Sequence, residues 1–139
     1  MKKRVLMEKC SDGTFGATTM DTSHVIWGQN DTVAGAKDDL KLGLEDMIAS
    51  YTEFQGTVPE ELCDFAFDYQ YDVRSIFIPF DFIDISKFAA WAGIEVALYR
   101  FDEEDATTEY YLVSETQTAQ LVESLHRLGE KLSAVSLTT

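Results

Sequence analysis

The hydrophobic and polar positions of this chain predict strands in its first part and helices in its later part. Residues 4–10 and 14–18 are two β-prone runs around Ser11-Asp12-Gly13, and an Asp-Gly pair in that setting predicts a β-hairpin. Residues 24–29 predict a third short strand. Residues 32–52 carry apolar side chains at helical spacing and predict one helix of about six turns. The apolar positions of that helix are Val33, Ala36, Leu40, Leu44, Met47, Ile48 and Tyr51.

Residues 64–72 show strict alternation and predict a fourth strand. One face carries Phe65, Phe67, Tyr69 and Tyr71, which we expect to pack against the long helix. The other face is polar and acidic, and we expect it to meet solvent or a partner. The first unit therefore reads as β-β-β-α-β, a small sheet of antiparallel type with one helix, in the α+β class.

Residues 84–101 predict a helix-turn-helix. Asp84 is placed to cap a first helix, and Gly93 is placed to end it in the left-handed conformation. A second stripe, made by Ile94, Leu98 and Phe101, predicts that residues 94–101 form the helix that would enter a DNA major groove. The candidate DNA contacts are Ser86, Lys87, Glu95, Val96, Tyr99 and Arg100.

Residues 114–137 predict a last helix that begins at a capping box, Ser114 to Gln117. Its leucines follow the spacing of helix–helix packing, which favours a core role and leaves a dimer seam as the alternative. Those residues are Leu121, Leu125, Leu128 and Leu132. The predicted organisation is an α+β domain over residues 1–72, an apolar connector over 73–83, and a helical domain over 84–139.

The charge balance changes the list of expected partners. The formal net charge is −14, with 25 acidic and 11 basic residues. Nucleic-acid affinity comes largely from Lys and Arg, so a basic protein is the better default partner. Residues 84–139 hold ten acidic and four basic residues, which weakens the case for DNA binding by the predicted helix-turn-helix.

The residue types that carry chemistry do not form a convincing active site. Glu8, Glu45 and Asp68 are the carboxylates that could gather metal ions, but the predicted faces separate Glu45 from Asp68. His24 and His126 have no triad-like context, and the chain has no glycine-rich phosphate loop. We therefore expect no catalytic residue, metal or cofactor. The opening residues do not form a signal peptide, and no run reaches membrane length, so we expect a cytoplasmic protein.

The order of these parts resembles the HicB-like antitoxins of bacterial toxin–antitoxin pairs, in the longer form with a C-terminal helix-turn-helix. The matching segments are VLMEKCSDGTFGAT at residues 5–18, GQNDTVAGAKDDLKLGLEDMI at 28–48, DISKFAAWAGI at 84–94 and SETQTAQLVESLHRLGEKLSAVSL at 114–137. Together they span nearly the whole chain.

The resemblance implies a front unit with a partial RNase H-like fold and no nuclease activity. That unit would bind and inhibit a small basic toxin that cleaves messenger RNA, and the rear unit would repress the operon as a homodimer or larger homo-oligomer on operator DNA. Our expectation for the toxin contacts is the acidic row Asp64, Asp68 and Asp72. The alternative is a stand-alone interaction or oligomerisation protein whose helix-turn-helix does not bind DNA.

Overall fold

The computed structural model of the chain describes residues 2–63, 66–103 and 106–138. It has a six-stranded mixed sheet in the order β3-β2-β1-β4-β6-β5. The strands are β1 Lys2–Lys9, β2 Phe15–Thr19, β3 Trp27–Asn30, β4 Ala66–Asp72, β5 Ala97–Glu103 and β6 Ala106–Ser114. The helices are α1 Val33–Gln55, α2 Glu60–Cys63, α3 Val73–Ile76, α4 Ile85–Ala92 and α5 Thr118–Thr138, with a 3₁₀ turn at Glu115–Gln117. The α+β class is confirmed.

The first hairpin forms where the Asp-Gly pair predicts it. β1 and β2 pair antiparallel, and Gly13 has a φ of 89°, a left-handed conformation that glycine adopts without steric cost. The prediction of an antiparallel-type sheet is wrong for β1 and β4, which pair in parallel with Met7 opposite Tyr71. The reason is the connection that contains α1, which is long enough to return the chain in its original direction.

Helix α1 begins and ends at residues suited to those positions. The Thr32 side chain accepts a hydrogen bond from the Gly35 N–H at 3.0 Å, and Gly56 ends the helix with a φ of 72°. Ala36 and Leu40 are fully buried against the sheet. The predicted aromatic face of β4 is confirmed for Phe67, Tyr69 and Tyr71, which pack into or against the same core, while Phe65 lies outside the described residues.

Helix α4 has the predicted bounds, cap and buried stripe. The Asp84 carboxylate accepts from the Lys87 N–H at 3.1 Å, and Gly93 ends the helix with a φ of 70°. The apolar positions that the sequence places inside are buried: Ile85, Phe88, Ala89 and Ala92.

The helix predicted for residues 94–101 is wrong, and no clear all-α helix-turn-helix unit is present in the described residues. Most of that segment is strand β5, which pairs antiparallel with β6 from Ala97 opposite Leu112 to Glu103 opposite Ala106. Only the first two positions of that apolar stripe, Ile94 and Leu98, fit a strand as well as a helix, and eight residues are too few for the third to decide. The aromatic residues Tyr99 and Phe101, with a β-prone partner in Glu109–Val113, favour the hairpin.

The predicted capping box ahead of α5 is also wrong. The Ser114 side chain makes no capping hydrogen bond, and Gln117 accepts from the Glu95 N–H at 2.8 Å instead. Of the leucine seam, Leu121 is buried, and Leu125 and Leu128 pack against the core of the same chain. The Leu132 side chain lies outside the described residues.

Strands from both sides of the predicted connector share one sheet, because β6 pairs with β4 at Gln70, Tyr71 and Asp72. Within the connector, Val73 and Ile78 are fully buried, whereas Phe80 and Phe82 are exposed and stack on each other with ring centroids 5.5 Å apart. The domain division stays a prediction. Among the described helices, none combines the length and the apolar content needed to cross a membrane.

Candidate functional site

One face of the sheet is covered by α1, and we call the opposite face the open face. Gly28 of β3 faces α1, because a Cβ built there would lie 2.5 Å from the Leu40 backbone nitrogen. Side chains alternate along a strand, so Trp27 projects on the open face. A second apolar cluster, separate from the α1 core, consists of Leu6, Met20 and Leu112.

Side chains from distant strands meet over the open face. The Arg4 guanidinium carbon on β1 lies 5.6 Å from the Tyr99 ring centroid on β5, although β4 and β6 separate these strands in the sheet. A half-open cavity of about 260 Å³ adjoins this contact. Its lining is Leu6, Glu8, Thr18, Thr19, Met20, Asp21, Thr22, Val25, Tyr99, Phe101 and Tyr110.

Glu8 is the acidic group of β1 in this cavity, and its surroundings disfavour ionisation. Burial raises the pKa of the Glu8 carboxyl, and the nearby charge of Asp72 raises it further. A hydrogen bond with Tyr110 acts in the opposite direction. The second cavity carboxylate, Asp21, is already paired, since it accepts from both Nε and Nη2 of Arg4, with distances of 2.8 and 2.6 Å.

Strand β3, at one edge of the sheet, carries large apolar side chains into solvent beside this cavity. Trp27 is 65% exposed, and Val25, just before the strand, is 54% exposed. Edge strands and exposed apolar side chains are features of surfaces that bind other protein chains. Val25 also lines the cavity, so the two features adjoin each other.

Three carboxylates surround β3, and we call them the acidic rim: Asp12, Asp31 and Asp39. Gln29 of β3 donates to Asp12 at 3.4 Å, and Asn30 donates to Asp39 at 3.4 Å. Hydrogen bonds from Thr14 lower the pKa of the Asp12 carboxyl, which favours its charged form. Asp31 is exposed and follows β3 directly. The acidic rim and the exposed apolar residues together present a surface that suits a basic protein.

The predicted DNA-contact residues are spread over three kinds of element. Ser86 and Lys87 lie on α4, Glu95 and Val96 lie in the connection to β5, and Tyr99 and Arg100 lie on β5. Ser86, Glu95 and Val96 line one open groove of about 770 Å³. Arg100 pairs across the hairpin with Glu109 at 2.9 Å.

The predicted toxin-contact row lies along β4 in the interior of the sheet. Asp72 is only 5% exposed, and one of its oxygens accepts from the Ser75 N–H at the start of α3. Its other oxygen, Oδ1, is buried and has no hydrogen-bond partner among the residues that the structure describes. Asp68 is partly buried and accepts from the Gln70 side chain at 3.1 Å. Asp64 lies outside the described residues.

The three carboxylates considered for metal chemistry lie on different elements: Glu8 on β1, Glu45 on the exposed side of α1, and Asp68 on β4. Across residues 2–63, 66–103 and 106–138, no group of three or more His, Cys, Asp or Glu side chains is placed to hold a metal ion.

Sequence reasoning missed the edge-strand surface and the cavity. The sequence did contain a signal for the edge-strand surface. Val25, Ile26 and Trp27 are adjacent and apolar, and a strand with one buried face can bury only every second side chain, so some of them must be exposed. The cavity had no local signal in the sequence, because its lining comes from β1, β2, β5 and β6, which are far apart in the chain.

Comparison with known proteins adds no relative to this description. No protein-family model, curated protein or solved structure matches the chain.

Proposed function

We propose that this chain is an antitoxin of the HicB-like kind, which binds and neutralises a small basic toxin that cleaves messenger RNA. The observation that carries the proposal is the β3 edge, which has exposed Val25 and Trp27 at its start and whose Gln29 and Asn30 donate to two carboxylates of the acidic rim. The net charge of −14 supports the same choice, since opposite charge steers association with a basic protein. The order of the front unit, three strands, the long helix α1, the short helix α2 and strand β4, supports it as well.

The test is co-expression with the small basic protein encoded by the adjacent reading frame. We expect this chain to restore growth, and we expect Trp27→Ala to abolish the rescue, because a central aromatic contact is worth about 2 kcal/mol or more in an interface. Leu98→Ala is the matched control, since Leu98 is also an exposed apolar residue on an edge strand, β5.

Two outcomes would contradict the proposal. One is growth arrest that persists although the chain is soluble and abundant. The other is the lack of any small basic reading frame beside the gene. Rescue lost in Leu98→Ala but kept in Trp27→Ala would move the interface to the β5 edge.

Repression of the operon through the rear unit is the second part of the proposal. Arg100→Ala is then expected to weaken binding to a promoter fragment by about 1–3 kcal/mol. Glu109→Gln is the matched variant, because it frees the Arg100 guanidinium from its ion pair and is expected to strengthen binding. An electrophoretic mobility-shift assay measures both. No shift at low salt, where phosphate attraction is greatest, would exclude this role.

The alternative function is a stand-alone interaction or oligomerisation protein that does not bind DNA. The specific observation in its favour is that β5 occupies most of the segment expected to be the recognition helix. Its marker would be a stable homo-oligomer in sedimentation velocity, together with no rescue of a toxin and no binding to the promoter fragment.

A further inference from the structure

The cavity on the open face contains one negative charge that lacks a cationic partner among the described residues. Asp21 is neutralised by Arg4, whereas the Glu8 carboxylate has only the Tyr110 hydroxyl as its described hydrogen-bond partner. A carboxylate has two oxygens and about four acceptor positions, so one hydroxyl leaves most of its capacity unused.

Two hydroxyl groups of the cavity have partners of their own. The Thr19 hydroxyl lies within hydrogen-bond distance of both the Ile26 N–H and the Ile26 carbonyl, and the Thr22 hydroxyl donates to Glu61. Apart from Thr18, the rest of the wall is apolar or aromatic, with Tyr99, Phe101 and Tyr110 on the hairpin side. A carboxylate beside such a wall favours a ligand with one cationic group on a carbon body.

Aromatic rings beside a carboxylate are the combination that recognises organic ammonium groups, because the ring faces attract cations. Tyr99 already has one cation within cation–π range, the Arg4 guanidinium at 5.6 Å. Arg4 does not occupy Glu8, since its Nε and Nη2 atoms donate to Asp21. The volume of about 260 Å³ lies just below the roughly 300–1,000 Å³ of pockets for drug-sized ligands, which points to a smaller molecule.

We propose that this cavity binds an organic ammonium ion, with the cationic nitrogen at the Glu8 carboxylate and the carbon body against Leu6, Met20 and the three aromatic rings. The proposal does not rest on the proposed antitoxin function, although Val25 lines the cavity and also belongs to the proposed toxin-binding edge. The same chemistry could be supplied by a free small amine or by a lysine side chain, and the experiment separates these sources.

The test is a titration of the uniformly ¹⁵N-labelled full chain, followed by amide chemical shifts. The probes are n-butylammonium, its neutral counterpart n-butanol, and lysine with its amino and carboxyl groups blocked. We expect saturable shifts at Leu6, Glu8 and Thr18 with n-butylammonium and much weaker ones with n-butanol. Binding of the blocked lysine with equal affinity would assign the site to a protein side chain, and binding of the free amine alone would assign it to a small molecule.

Glu8→Gln is expected to weaken n-butylammonium binding by about tenfold or more, the effect of losing one charge-assisted hydrogen bond. Glu45→Gln is the matched control, since it removes one carboxylate from the exposed side of α1 and is expected to leave the affinity unchanged. Equal binding of n-butanol and n-butylammonium to the unmodified chain would overturn the proposal whether or not the variant folds. The proposal would also fail if no probe gave saturable shifts, or if Glu8→Gln and Glu45→Gln behaved alike.

Discussion

Gly28 sets the distance between the sheet and its main helix. A Cβ at this position would lie 2.5 Å from the Leu40 nitrogen and 2.7 Å from the Ala36 carbonyl oxygen. Both atoms belong to the α1 backbone, so a side chain cannot be accommodated by a rotamer change. The position therefore requires glycine for close approach and not for an unusual backbone angle.

Gly28→Ala is expected to destabilise the fold by about 1–3 kcal/mol, the range for overpacking a closed interface. Urea denaturation measures the free energy of unfolding. Gly129→Ala is the control, because no atom of the described residues lies within 4 Å of a Cβ built at Gly129 in α5, and alanine is the better helix former. Equal loss in both variants would show that the Gly28 contact does not limit the packing.

Glu8 makes stability depend on pH in a definite direction. Burial raises its folded-state pKa above the ordinary value of 4.5, with a further contribution from Asp72 and an opposing one from Tyr110. The contribution of Glu8 to the free energy of unfolding is therefore fully present below pH 4.5. It is lost as the pH rises through the folded-state pKa.

Glu8→Gln cannot ionise, so we expect it to be more stable than the unmodified chain at pH 7 and to lose most of that advantage at pH 4. Chemical denaturation at the two pH values measures the difference. Glu45→Gln controls for removal of one negative charge from an acidic chain. An advantage of the same size at both pH values would show that Glu8 ionises as freely in the fold as in the unfolded chain.

At the scale of elements, helix α4 was the part that the sequence predicted best. Asp84 and Gly93 bound it as predicted, because capping depends on residues within a few positions of each helix end. Helix α1 was predicted as a helix over residues 32–52, and the structure ends it three residues later, before Gly56. β5 could not be predicted in the same way, since its hydrogen-bond partners lie on β6 and are not visible in an eight-residue window. The open-face cavity was missed for a related reason, because Glu8 and Tyr99 come from distant segments.

Thr32→Ala is expected to cost about 1 kcal/mol of stability, because it leaves the Gly35 N–H without its side-chain acceptor. Thr32→Ser keeps a hydroxyl in the same place and is expected to retain most of the stability. The urea midpoints of the two variants provide the comparison. A serine variant as unstable as the alanine variant would assign the effect to the threonine methyl group.

At the scale of the whole molecule, several contacts join the front and rear parts. β6 pairs with β4, and Lys37 of α1 forms an ion pair with Glu115 at 3.0 Å. Burial lowers the pKa of Lys37, but hydrogen bonds with Tyr71 and Glu115 outweigh that effect and raise it overall. Because the folded-state pKa of Lys37 is raised, the stability that Lys37 contributes is fully present at neutral pH. It is lost only as the pH rises above 10.5, the ordinary pKa of lysine.

These contacts predict that the chain unfolds as one cooperative unit. Its two tryptophans report on the two parts, Trp27 on β3 and Trp91 on α4, and both are exposed enough for replacement by phenylalanine. In each of the variants Trp27→Phe and Trp91→Phe, one tryptophan remains. We expect the denaturation midpoint from its fluorescence to equal the midpoint from circular dichroism. Separate fluorescence midpoints would instead support the division at residues 73–83.

The parallel pairing of β1 with β4 has a consequence for synthesis on the ribosome. β1 is made before its parallel partner, which is complete only when Asp72 has been added, several seconds later at roughly 5–20 residues per second. During that interval the β1–β2 hairpin has an unpaired edge. Helix α1 is made before β4, so α1 can pack on the β1–β2–β3 part of the sheet before β4 pairs with β1.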